Sequence, residues 1–177
     1  MAKSPGKVGD ALIGGKYLWL VLIPLALQTA FFPHLPIFGV IPNLLLVITI
    51  CYGLLQGTYQ GLYFGLLSGL CLDLAGSGIL GINIITLGIL GLGAGYLERV
   101  IFKGYLLVPI CTVQAGTLLA EIFSFFILLA FGWRIKFLSF LGSTLLPLCL
   151  YHLLLTAPIY YGLIKGLDRS KKTQVDA

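Results

Sequence analysis

The sequence predicts an all-α integral membrane protein, a six-transmembrane-helix bundle with both termini cytoplasmic. Three observations predict it. The 177 residues are 59% hydrophobic and only 10% charged, far below the roughly 25% charge of a typical soluble domain. The apolar residues come in blocks close to the length of a membrane span. The basic residues sit at the ends of those blocks and favour one side of the membrane.

A hydrocarbon core about 30 Å thick asks for about 20 apolar residues per helix. The first block is Tyr17–Pro33. The short basic tail before it (residues 1–16) could pass for a signal-peptide n-region. No A-x-A-like site follows the block, so it is read as a retained helix. The second block is Ile37–Leu55, the third Tyr59–Ala75 and the fourth Ile79–Leu97. The fifth is Tyr105–Phe131 and the sixth Leu138–Ile164. Residues 17–164 thus form the transmembrane domain. Residues 165–177 are a basic cytoplasmic tail, polar and expected to fray.

The break between the second and third blocks is the weak one, because Gln56–Gln60 ("QGTYQ") carries no charge. Charge placement tests it. With six helices and a cytoplasmic N-terminus, the inner side holds Lys3, Lys7, Lys16, Arg99, Lys103, Lys165, Arg169, Lys171 and Lys172. The outer side holds only Arg134 and Lys136. Fusing the two blocks moves Arg99, Lys103 and the C-terminal basic residues outside, against the positive-inside rule. Aromatics agree: Tyr17, Trp19, Tyr96, Tyr105, Tyr160 and Tyr161 fall near the inner interface and Trp133 near the outer one. The net charge of +5 is therefore a matter of topology, and nucleic acid is not an expected partner.

Gly57, Gly61, Gly65 and Gly69 repeat the G-x-x-x-G spacing. Bare backbone on one helix face lets a neighbour approach closely, which drives association in lipid. The fourth block answers with Gly81, Gly88, Gly91 and Gly95 on one arc. Two readings follow. The third and fourth helices pack together, or the ladder is a groove for a partner's helix, or both hold on different faces. If the glycines mediate close approach, Leu at Gly65 or Gly69 is expected to disrupt, and Ala to be milder.

Asp73 ends a run that carries no other charge back to Lys16. It lies about 21 Å along its helix, in the outer half of the membrane. A charge at mid-bilayer costs about 3 kcal/mol or more, so the carboxylate must be buried, paired or near the interface. One reading is a clasp that accepts backbone N–H bonds from the following turn, Gly76–Gly78. For such a clasp Asp73→Asn is expected to be mild. The other reading is a binding or partner-sensing acid.

Gln114, Thr117, Glu121 and Ser124 form a polar stripe on the fifth helix. Glu121 falls at a depth similar to Asp73. Two acids facing one cavity would handle a cation or proton; alternatively each is bonded separately, or Glu121 reaches Arg134. His34 is expected at the outer interface and His152 deeper, as a packing residue. Cys51, Cys71, Cys111 and Cys149 lack metal-ligand spacing and read as small buried hydrophobes. No Ser–His–Asp context, H-E-x-x-H or phosphate loop is present. Neither catalysis nor a metal, nucleotide or other cofactor is expected.

The stretch Ile41–Leu97 carries a family resemblance. It runs from Pro42-Asn43 through the Gly57 break, the glycine ladder and Asp73-Leu74 to Leu80-Gly81 and the glycine-rich fourth helix. It resembles the MreD family of bacterial rod-shape membrane proteins. Length, helix number and the short basic tail also fit. The resemblance implies a non-enzymatic scaffold of the inner (cytoplasmic) membrane. Such a subunit binds MreC and helps link MreB filaments to the synthase RodA and its penicillin-binding transpeptidase. The fold of that family is similar to the S components of energy-coupling-factor vitamin transporters, which supplies the alternative. Ala26 and Ala30 stand where the S-component A-x-x-x-A motif lies, and the Gln114–Ser124 stripe would line a pocket.

Overall fold

The computed structural model describes residues 15–31, 40–76, 80–97, 106–133 and 137–175. Regular structure among them is entirely helical. Helix α1 spans Gly15–Ala26 and opens into a π turn, Leu27–Phe31. Helix α2 is Leu44–Gln56 and α3 is Thr58–Ala75. Helix α4 is Ile82–Leu97 and α5 is Leu107–Ala130. Helix α6 begins as Phe137–Phe140, passes through a π turn at Leu141–Leu145, and continues as Leu146–Val175.

Helix α2 is the centre of the fold. Every residue from Leu44 to Leu54 is buried, as expected of a helix that is apolar all round. Its start is marked by Pro42 and by Asn43, whose side-chain oxygen accepts the Leu46 N–H at 3.0 Å. That is the usual role of an N-cap residue. Its end is Gly57, at φ +99°, a conformation that favours glycine.

Gly57 is the single residue between α2 and α3, and it reverses the chain. Tyr52 and Phe64 stack across the hairpin with ring centroids 4.6 Å apart. A Cβ on Gly61 would lie 2.9 Å from Gly53 Cα. One continuous helix through Gln56–Gln60 is therefore ruled out. Helix α4 then runs back antiparallel to α3, and so parallel to α2. The buried core extends from α2 to Val21 of α1, Phe64 and Leu72 of α3, and Leu87, Leu90 and Ala94 of α4. Val113 and Ala120 of α5 and Leu163 of α6 complete it.

Helices α5 and α6 form a second antiparallel pair. Phe125 sits 5.4 Å from Phe137 and 5.1 Å from Phe140, ring to ring, at one end of it. Helix α5 and the stretch Leu141–Leu167 are each long and apolar enough to cross a membrane. Helices α1, α2 and α4 are apolar but shorter. At 13 residues, α2 is only about 20 Å long. Leu118, Leu119, Ile122 and Phe126 of α5 are exposed, as are Leu150, Leu153 and Leu154 of α6. An apolar surface of this extent suits lipid and not water.

The C-terminal segment differs from expectation. It is helical through Val175 rather than frayed, because α6 runs on without a stop signal after Leu167.

Candidate functional site

The α3–α4 seam is where most of the glycines of the sequence reading meet. Added Cβ atoms would collide with backbone at successive rungs: Gly61 with the Gly91 carbonyl, Gly65 with that of Leu87, and Gly69 with that of Asn83. Gly91 meets the Gly61 carbonyl in return, and Gly95 meets Gly57 and Thr58. The two backbones are in direct contact over four turns, the close approach that G-x-x-x-G spacing permits. Gly88 differs, since it faces the tip of the Leu66 side chain. Gly81 is not part of the seam at all: it sits in the turn at φ +102° with open space around it.

The ladder faces α4, so it is not an open groove for a partner's helix. At Gly65 and Gly69 even Ala is expected to carry a cost, though a smaller one than Leu. The first atom a Cβ meets there is backbone, which cannot swing aside. Gly53 extends the four-residue spacing one rung earlier and packs on Gly91, Ala94 and Gly95. Its position four residues before Gly57 was the signal that identifies it.

Asp73 closes the far end of this seam. It is 5% exposed. Its Oδ2 accepts the backbone N–H groups of Gly81 at 2.9 Å and Ile84 at 3.2 Å. Its Oδ1 accepts the Asn83 N–H at 3.3 Å and the Asn83 side-chain amide at 2.8 Å. Among the described residues the donors are thus the N–H groups at the start of α4. Residues 77–79 lie outside the described residues, and the Gly76 N–H closes α3 on the Leu72 carbonyl. The reason is physical. The unpaired N–H groups at a helix start are concentrated and positively polarised, so they attract a carboxylate more strongly than a lone turn does.

This geometry bears on the expectation for Asp73→Asn. Each carboxylate oxygen accepts two N–H donors. Either orientation of an Asn amide turns an NH₂ toward two of them. The substitution is therefore expected to lower stability.

The start of α2 is satisfied in the same way, by residues from two other places. Gln28 in the π turn after α1 accepts the Leu44 N–H at 3.1 Å. His152 of α6 accepts the Asn43 N–H on Nε2 at 3.1 Å. Because Nε2 is an acceptor, the ring proton is on Nδ1. It donates to Thr117 Oγ1 at 2.7 Å, and that hydroxyl donates on to the Val113 carbonyl at 2.8 Å. Thr156 donates to the His152 carbonyl. His152 is fully buried and all its polar groups are partnered. This network joins α1, α2, α5 and α6.

The polar stripe of α5 is divided. Gln114 donates to the Cys149 carbonyl at 2.9 Å and Thr117 belongs to the His152 network. Glu121 is half-buried, within electrostatic reach of Cys149. Ser124 is half-buried beside it in sequence. The four described bonds of Asp73 come from the start of α4 and the turn before it, and none of them links it to Glu121. His34 and Arg134 lie outside the described residues. Cys51 is buried, Cys71 and Cys149 are half-buried, and Cys111 is exposed, so the last is not the buried hydrophobe expected. Among the described residues no three His, Cys, Asp or Glu side chains gather as metal ligands. Asn83 and Gln28 were not singled out in sequence, and Asn43 entered only as part of the family resemblance. Asn83 carries a signal only in retrospect, as a short amide two residues after a glycine at a helix start.

No curated protein and no solved structure matches the chain. The family model for rod shape-determining protein MreD matches residues 13–168. That match takes in α1 to α5, α6 as far as residue 168 and both capped helix starts, and the chain belongs to the MreD family of rod shape-determining membrane proteins.

Proposed function

We propose that this chain is a non-enzymatic scaffold subunit of the bacterial cell-elongation machinery. It sits in the inner membrane as six spans with both termini in the cytoplasm. It binds MreC and helps link MreB filaments to RodA and its penicillin-binding transpeptidase. The observation that carries the reading is the family match over residues 13–168. The charge asymmetry of the loops supports the topology.

The closed seam adds a constraint. With α3 and α4 in backbone contact, partner helices are left the outer faces of the pair. These carry Leu66, Leu70 and Leu74 on α3 and Ile85 and Ile89 on α4, all exposed. The vitamin-carrier alternative has less support, because Gln114 and Thr117 are bonded to α6 rather than free to line a pocket.

Depletion of the chain in its own bacterium tests the proposal. Cells are expected to lose rod shape and to recover it when the chain is re-expressed. Cells that stay rod-shaped while losing uptake of a vitamin would reverse the reading in favour of a carrier.

A further inference from the structure

The last stretch of α6 runs on beyond the apolar part of the helix. The apolar part of the helix ends at Leu167, yet the backbone stays helical to Val175. The 30 residues from Leu146 span about 45 Å, well beyond the roughly 30 Å hydrocarbon core. The helix therefore projects past the apolar layer as a rod. Lys165 is exposed where the rod leaves it. The sequence then places Arg169 and Lys172 at i+4 and i+7 from Lys165, on the same helical face, with Lys171 beside them. Asp168 is the only acid among residues 165–175.

We propose that this basic helical extension, Lys165–Val175, is a binding surface for anionic lipid headgroups. A basic segment just outside a membrane span lies within a Debye length of the surface, where negative headgroups attract each cation. Like charges on one face weaken an isolated helix, whereas headgroups that neutralise them hold it. The extension would thus be ordered by the membrane and would fix the tilt and depth of α6. This inference rests on membrane insertion of the chain and on no partner protein, so it stands or falls separately from MreC binding.

Hydrogen–deuterium exchange of the full-length chain in lipid nanodiscs tests it. One set contains phosphatidylcholine alone, and in the other a third of the lipid is phosphatidylglycerol. Amides of residues 168–175 are expected to exchange about tenfold more slowly in the anionic discs. High salt should erase the difference, and so should R169Q/K171Q/K172Q, which leaves the apolar helix intact. Exchange of α2 serves as the internal control for folding. Equal exchange in the two discs would overturn the proposal and point to an acidic protein as the partner of this surface. Protection that survives high salt or the triple variant would overturn it too, since the basic residues would then not be its cause.

Discussion

The imidazole of His152 accepts the backbone N–H of Asn43 at 3.1 Å, across 109 positions of sequence. That one bond ties the last helix to the start of the central one. The N–H groups that begin α2 have no partners within their own helix, and they are partly shielded from water by the surrounding helices. A span broken inside a membrane is tolerated only where protein groups satisfy the backbone it frees. His152, Gln28 and Asn43 do so for α2, as Asp73 does for α4.

Replacing His152 with Leu is expected to strand the Asn43 N–H and to take from Thr117 Oγ1 the bond it accepts. An unpaired buried donor costs about 1–3 kcal/mol. A clear fall in the thermal midpoint of the purified protein is expected in detergent. His152→Gln keeps an acceptor within similar reach and should fall less. Equal loss in the two variants would mean that the ring's volume matters and its bonds do not.

Asp73→Asn and Asp73→Ala should both lower stability. Hydrogen bonds to a charged group contribute about 1.5–3 kcal/mol each, and the Asn variant adds facing donors. Protein abundance in membranes and the thermal midpoint are the readouts. A stable, abundant Asn variant would contradict the four-donor geometry.

At Gly65 and Gly69, Ala as well as Leu is expected to destabilise, by about 1–3 kcal/mol or more through overpacking. Gly88→Ala should be milder, because the Leu66 tip can move. Gly93→Ala should be neutral, since nothing lies within 4 Å of its Cβ position. Thermal midpoints of the four variants check the order. Tolerance of Ala at Gly65 would place it away from backbone contact.

Reporter fusions at Ala177 and at Lys136 should report opposite sides of the membrane. The same side for both would refute the six-span topology.

Much of the fold was legible in the sequence for local reasons. The Gly57 break shows in a short stretch where apolar pattern lapses around a glycine. The α3–α4 seam shows in a four-residue glycine period answered by a second glycine-rich helix. The partners of the polar residues were harder to read. Asp73 lies nearest Gly76–Gly78 in sequence, but its bonds follow the antiparallel register of α3 on α4, which brings the start of α4 back to it. His152 is a lone histidine in an apolar helix, and nothing nearby names Asn43 as its partner. The cost of even Ala at Gly65 was not legible, because spacing reveals close approach without revealing whether backbone or a side chain sits opposite.

The central claim is that this MreD family member acts by holding protein partners and not by moving a solute. Affinity purification of the tagged chain from native membranes, with the co-purifying proteins quantified by mass spectrometry, tests it most directly. The account predicts recovery of MreC together with RodA and its transpeptidase. Recovery of an ATPase module in their place would contradict it.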